Sequence, residues 1–388
     1  MLHCYVHVPF CRSRCIYCDF FSTTREELTA AYTTALCAEI EARRRERVGT
    51  DGDDGREACN LTATTLYLGG GTPSLLTARQ RDAIVGSVAA NYTLSADAEL
   101  TLEANPDDIA HCGTLRPFNR VSLGVQTFDD TLLRFLRRRH DAATAIASVG
   151  RLRRDGIHNI SIDLIYGLPG QTMATWQHDL DTAFHLGVQH LSAYALSYEQ
   201  GTPLGRLRAA GQLREVADET VAAMYDVLCC RARSEGYDHY EISNFALPGY
   251  ASRHNSSYWT GEPYLGFGPG AHSFDGHRTR RANRCDLDAY IRAWATPATP
   301  HADTADTERL TDDELYDEAV MCGLRTAVGV NLDAIEARWG SARRSYLMHM
   351  ARRHLDAGRL LLDGATLRLS RAAIIVSDDV MSDLMADK

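Results

Sequence analysis

Three cysteines crowd into one short stretch near the start of the chain, Cys11-Arg12-Ser13-Arg14-Cys15-Ile16-Tyr17-Cys18. The spacing is C-x3-C-x2-C, in a polar loop directly after an apolar run. Thiolates so spaced can wrap one face of a cubane iron–sulfur cluster, and three ligands on four irons leave one iron open to an outside chelator. Zinc is the alternative, although zinc loops usually pair one C-x2-C with a second, and no second C-x2-C occurs here. Chance burial of three thiols fits poorly with so polar a loop. A second candidate is Gly69-Gly70-Gly71-Thr72-Pro73. Glycines let a backbone approach a ligand closely, with N–H and C=O groups exposed, although such a run alone is more often a turn.

Both features need elements to hold them. Short β-rich runs alternate with helical patterns over the first two hundred residues. Strands are predicted at Tyr5–Pro9, Thr65–Gly69, Glu99–Glu103, Arg120–Val125, Asn159–Ile165 and His190–Leu196. Helices are predicted at Leu28–Arg45, Ala78–Ala90, Thr131–Arg137, Ala142–Arg154 and Ala174–Leu186. Such alternation implies a parallel sheet with helices on its outer face, and parallel sheets place their sites at the C-terminal ends of the strands. The expectation is an α/β fold, a curved partial barrel of six βα units.

Gly49–Asn60 reads as an exposed loop, and residues 237–275 look irregular. Residues 296–307, rich in Thr, Ala and Pro, read as a linker. Beyond it come three helical patterns and a hairpin-like stretch, Arg359–Leu369, suggesting a small winged-helix-like domain. The expected division is a core at 1–236, an extension at 237–295, the linker at 296–307, and a C-terminal domain at 308–388.

Composition narrows the function classes. With 41 Lys and Arg against 51 Asp and Glu the chain is acidic, which argues against a nucleic-acid or anionic-membrane footprint. Residues 301–388 hold 11 basic and 16 acidic side chains, so DNA binding by the winged-helix-like domain is not expected. Lys388 is the sole lysine, which excludes a lysine Schiff base or a P-loop lysine. The cysteines number eleven, and an odd count with no secretory pattern at the N-terminus predicts no disulfide framework and a cytoplasmic protein. No run of eighteen apolar residues is present, so no stable membrane insertion is expected.

The cysteine loop followed by the glycine run resembles the radical S-adenosylmethionine superfamily. YVHVPFC, YLGGGTPSLL, LEANPDD, VSLGVQTF, IDLIYGLPGQT and YEISNFA are similar to the branch holding oxygen-independent coproporphyrinogen III oxidases and HemW-like haem chaperones. The resemblance implies a [4Fe-4S] cluster on Cys11, Cys15 and Cys18, its open iron chelated by S-adenosylmethionine. It implies cofactor contacts from Tyr5, Tyr17, Gly70, Gly71, Thr72 and Glu103. Gln126, Arg138 and Asp163 match positions that serve a second S-adenosylmethionine in the oxidases. The alternatives for Glu103 and Asp163 are a helix cap or a salt bridge.

Three departures separate the two branches. Phe20 stands where the oxidases carry a further cysteine, and ten residues precede Cys11 where they have a longer extension. Third, His254-Asn255-Ser256-Ser257-Tyr258-Trp259 resembles the haem-binding motif of the chaperones. There His254 could ligate haem iron, Tyr258 and Trp259 could offer flat faces to the porphyrin, and Arg253 could pair with a propionate. Gly261–Phe274 is expected as a loop at the barrel mouth, with His272 a weaker candidate ligand. The resemblance therefore implies a haem chaperone that passes haem to an acceptor protein, with a homodimer plausible. Radical decarboxylation of coproporphyrinogen III is the alternative.

Overall fold

The computed structural model describes residues 1–48, 56–57, 61–295 and 304–386. Six strands run parallel in sequence order: β1 (Leu2–Val8), β2 (Thr62–Gly70), β3 (Thr93–Ala104), β4 (Arg120–Gln126), β5 (Asn159–Tyr166) and β6 (His190–Ala195). Helices α1 (Thr29–Ala42), α2 (Ala78–Asn91), α3 (Asp130–Phe135), α4 (Ala142–Arg154) and α5 (Met173–His185) occupy the crossovers. Leu2, Cys4, Val6 and Val8 lie on one face of β1 and are fully buried, and His3 and His7 on the other face are buried too. Burial on both faces is what a parallel strand between helices and a barrel interior requires. Start signals match the expected helices: Thr77 and Gln80 form a reciprocal capping box on α2, and the Asp141 side chain caps α4. This is the expected partial (β/α)6 barrel.

The region expected to be irregular instead extends the sheet at both edges. After α6 (Asp218–Ser234), β7 (Asp238–Glu241) and β8 (Asn244–Ala246) add antiparallel strands beside β6. Helix α7 (Arg253–Trp259) follows, and then β9 (Tyr264–Phe267) pairs in parallel with β1 at the opposite edge. Strands β10 (His272–Phe274), β11 (Thr279–Asn283) and β12 (Ala305–Arg309) continue outward, giving the order β12-β11-β10-β9-β1-β2-β3-β4-β5-β6-β8-β7. Residues 247–263 thus cross from one edge of the open barrel to the other, below the N-terminal ends of the strands. Gly261–Phe274, expected as a loop at the mouth, supplies two of these strands. Of the residues read as a linker, 296–303 lie outside the described residues, and 305–307 belong to the edge strand β12. Of the segment read as an exposed loop, 49–55 and 58–60 lie outside the described residues, while Arg56–Glu57 pair with Arg47–Val48.

A buried ion pair locks the added strands to α1. Glu39 is fully buried and receives Arg43 Nη1 at 2.8 Å, Tyr290 OH at 2.5 Å, Asn283 Nδ2 at 2.7 Å and the Gly268 amide at 2.8 Å. Arg43 also donates to the Gly266 carbonyl and Ser273, with its guanidinium over the Phe267 ring. Every polar atom of the pair has a partner, the condition under which buried charge is tolerated.

The C-terminal domain comprises helices α9 (Asp312–Arg325), α10 (Leu332–Trp339), α11 (Ser341–Asp356) and α12 (Ser377–Leu384), numbered after α8 (Leu287–Trp294). Its small sheet contains β13 (Val330–Asn331), β14 (Leu360–Asp363) and β15 (Thr366–Leu369). The hairpin falls where Arg359–Leu369 was expected. The domain has its own apolar core around Tyr316, Leu324, Leu347 and Leu367. It joins the barrel where the Ile242 amide donates to the Arg325 carbonyl.

Candidate cofactor cavity

The C-terminal ends of the parallel strands surround a cavity of about 430 Å³. Its wall includes Cys11, Cys15, Cys18, Tyr17, Gly70, Gly71, Thr72, Glu103, Gln126, Arg138 and Asp163. Eleven of the seventeen candidate residues singled out in the sequence are therefore brought to one site.

The cysteine loop is fixed at several points. Cys11 donates its amide to Thr23, Ile16 to the Leu136 carbonyl, and Leu204 returns an amide to Ile16. The three thiols are free and half-buried. Burial pushes the Cys18 thiol up to about 11 and also raises Cys11, and neighbouring thiols of the set add to both shifts. A metal bound in place of those protons would compensate the thiolate charge that burial penalises. Among the described residues no three metal-binding groups converge on a single ion. A cubane does not ask them to, because each thiolate sits on its own iron. Phe20, where the oxidases carry cysteine, is 64% exposed on the cavity rim.

The glycine run has a reason its sequence did not reveal. Gly70 has φ +105°, and a Cβ there would lie 2.6 Å from the His7 ring. A Cβ on Gly71 would lie 2.7 Å from the Phe10 carbonyl. Gly70 and Gly71 must be glycine because the first strand and its loop press against them from behind, and their other side forms cavity wall. The Gly70 amide donates to Glu103 Oε2 at 3.0 Å, and Tyr67 OH donates to Oε1 at 2.8 Å. Burial raises the Glu103 carboxyl to about 7, against the pull of Tyr67 and with the push of Asp163. Burial raises Asp163 as well, while Ser122 donates to it at 3.2 Å. Gln126 and Arg137 hold positive φ, at 72° and 58°, conformations costly for non-glycine residues and concentrated at functional sites.

Opposite the cysteine loop, Arg138 donates Nη1 to Cys15 Sγ at 3.2 Å, and Nη2 to Asn105 Oδ1 at 2.5 Å and the Gly124 carbonyl at 2.6 Å. Asn105, Tyr67, Arg120, Ser122 and Asn255 also form cavity wall and were not singled out in the sequence. For Asn105 the available signal was its place in LEANPDD, directly after Glu103. Arg120 is an arginine opening a predicted strand, and nothing in its spacing distinguishes it.

Tyr5, His254, Tyr258 and Trp259 lie elsewhere. Tyr5 points into the barrel below the cavity, its ring 6.0 Å from Tyr67 and 6.1 Å from His254. His254 is 1% exposed. Its Nδ1 meets Thr65 Oγ1 at 2.7 Å and its Nε2 meets Tyr258 OH at 2.9 Å. Thr65 in turn contacts His3, and His3 reaches Glu262 at the surface. Burial drives the His254 imidazole down to about 3, so it is neutral. Glu99 of β3 accepts the first two amides of α7, those of Arg253 and His254. Tyr258 stands edge-on between His254 and Tyr264, and Arg325 of the C-terminal domain covers Trp259. Arg253 donates to Asp97, and His272 is exposed on β10. In this conformation α7 closes the barrel from below. Neither nitrogen of His254 is open to a metal, since each is engaged by a hydroxyl.

Comparison with known proteins agrees with this architecture. The model of the radical SAM superfamily matches residues 5–183, and that of the HemN C-terminal domain matches residues 310–376. The haem chaperone HemW of Bacillus subtilis is 35% identical, over 88% of this chain and 87% of its own. HemW of Mycobacterium tuberculosis is 34% identical over 98% of this chain and 94% of its own. The mitochondrial radical S-adenosyl methionine domain-containing protein 1 of Danio rerio is 31% identical over 99% of this chain and 86% of its own. Among solved structures, coproporphyrinogen III oxidase (HemN) of Escherichia coli superposes with a TM-score of 0.79 at 22% identity, covering 99% of this chain and 90% of that one, a likeness of fold. The cavity built from a cysteine loop and glycine turn, and the shared sequence over nearly the whole length, have one source: the chain belongs to the HemW-like family of the radical SAM superfamily.

Proposed function

We propose that this protein is a haem chaperone that carries a [4Fe-4S] cluster and S-adenosylmethionine in the barrel cavity, binds haem, and hands it to an acceptor protein. The observation that supports the cofactor part is the convergence of three free thiols, the Gly70–Thr72 turn and the buried Glu103 on one cavity. Cys11, Cys15 and Cys18 would hold the cluster. Gly71 and Thr72 would meet the methionyl end of S-adenosylmethionine. Glu103, its carboxyl already aligned by Tyr67 and Gly70, would accept from the amino or ribose groups. When bound, the cluster supplies the electron that can split a C–S bond of the sulfonium. Arg138 and Asp163 line the same space and bring one charge of each sign to a zwitterionic ligand.

The haem part is supported by the names of the relatives and by the His254–Trp259 string. For His254 to reach iron, its ring must first give up its bonds to Thr65 and to Tyr258. Burial keeps the imidazole neutral, the form that ligates metal. The test is an anaerobic haem titration followed at the Soret band, with wild type and His254→Ala loaded with the cluster, Cys15→Ser carried through the same reconstitution as the variant that lacks a cluster ligand, and thermal melts to confirm folding. Saturation near one haem per chain in wild type and Cys15→Ser, lost in a folded His254→Ala, is the expected result. Retention in His254→Ala equal to wild type removes that ligand. Absence of saturable binding in all three removes the haem reading and favours radical chemistry on a porphyrinogen, to be assayed as 5′-deoxyadenosine release.

A further inference from the structure

Two of the three loop thiols are joined by a continuous line of hydrogen bonds along the cavity wall. Thr72 Oγ1 donates to Cys11 Sγ at 3.4 Å. Asn105 Nδ2 donates to Thr72 Oγ1 at 3.2 Å. Arg138 donates to Asn105 Oδ1 at 2.5 Å and, through its other terminal nitrogen, to Cys15 Sγ at 3.2 Å. The sense of the chain is forced by chemistry. A guanidinium has donors only, so Asn105 must turn its oxygen to Arg138 and its NH2 to Thr72. Thr72 then accepts from Asn105, which leaves its single hydroxyl proton for Cys11. One amide therefore turns the Thr72 hydroxyl onto Cys11 and, together with the Gly124 carbonyl, holds the guanidinium whose other arm reaches Cys15.

Asn105 stands at the N-cap of the short helix Pro106–Ile109, where an Asn side chain ordinarily accepts from a helix amide. Here it makes no such bond and is turned into the cavity wall. The position gives up a stabilising cap to hold Thr72 and Arg138 in place.

We propose that Asn105 is a positioning residue that sets the reduction potential of the cluster, by fixing the Thr72 hydroxyl on Cys11 and the Arg138 guanidinium on Cys15. This rests on the reading of those cysteines as cluster ligands. Donors and positive charge at the ligand sulfurs favour the more negative, reduced cluster and so raise its potential. The couple is the one-electron reduction of the cluster from the 2+ to the 1+ state, with dithionite as electron donor in the titration below.

The experiment is an EPR-monitored dithionite titration of the reconstituted full chain without S-adenosylmethionine, alongside iron analysis. Asn105→Ala is expected to hold wild-type iron with a lower midpoint potential. Thr72→Val is expected to lower the potential and Thr72→Ser to restore it. Adding Asn105→Ala to Thr72→Val should shift the potential less than Asn105→Ala does alone, because one of the two donors it positions is already gone. Equal potentials in wild type, Asn105→Ala and Thr72→Val overturn the proposal while leaving the cluster in place. A wild-type chain that takes up no iron brings it down together with the reading beneath it, and iron analysis separates that result from the former. If Asn105→Ala alone fails to load, the Thr72→Val and Thr72→Ser pair decides, and a Thr72→Val potential equal to wild type refutes the proposal.

Discussion

Glu103→Gln tests whether the cavity carboxyl is charged in the protein without cofactors. Burial lifts Glu103 to about 7 from the 4.5 of a free glutamate. A carboxyl whose pKa is raised by folding stabilises the folded chain at low pH, where it is protonated, and that contribution is lost as pH rises through the folded value. Between pH 5 and 8.5 linkage gives a loss of roughly 2.5 kcal/mol for one such group. This is a ceiling, because one side of the carboxyl faces the cavity and water there screens it. Urea denaturation of the cofactor-free chain across that range should show wild-type stability falling relative to Glu103→Gln by roughly 1 to 2.5 kcal/mol. The difference should develop between about pH 5 and 7, the interval between the unfolded and folded values, and level off above it. Curves that run parallel from pH 5 to 8.5, whatever their offset, would show that Glu103 does not titrate there and refute the reasoning. Added S-adenosylmethionine, which brings positive charge, should oppose the loss at high pH in wild type only.

Two further changes probe the frame. Arg43→Ala leaves Glu39 buried with neutral donors alone, and unpairing a buried charge should cost roughly 3–5 kcal/mol in urea denaturation; a loss below about 1 kcal/mol would mean that the pair contributes little. Gly70→Ala places a methyl 2.6 Å from the His7 ring at φ +105°, so it should lower the melting temperature and reduce iron uptake, and wild-type values for both would refute the steric account.

The parts of this fold that could be read from the chain are those with local signals. The six parallel strands are apolar runs separated by helices that bury one side, and each repeats the alternation on its own. Strands β7 to β12 escaped because each is only three to five residues long, and the pairings that tie them to the barrel, β8 to β6 and β9 to β1, join segments far apart in sequence. Nothing local in Ala305–Arg309, with its threonine and charged residues, distinguishes an edge strand from a linker. Within the site, the cysteines and glycines were legible because few other residue types serve there. Asn105 and Arg120 were not, since an asparagine before proline reads as a helix cap and an arginine as surface. The placement of His254 was also hidden: the spacing of the string puts His254 and Tyr258 one helical turn apart on α7, but it does not say whether that face looks outward or into the barrel.

Helix α7 is at once the underside of the barrel and part of the cavity, because Asn255 lines the space above while His254, one residue earlier, is held by Thr65 and Tyr258 below. The Tyr67 ring stacks on His254 at 5.0 Å, and its hydroxyl reaches Glu103. A ligand that fills the cavity and a ligand that draws His254 out of the barrel would therefore pull on one wall from its two sides. Free energy exchanged through such a wall is reciprocal: whatever factor the first ligand imposes on the affinity of the second, the second imposes on the first. A porphyrin that needs the helix turned out would have its affinity reduced by the fraction of chains in which the helix is in, and an occupant of the cavity that favours one position would shift that fraction.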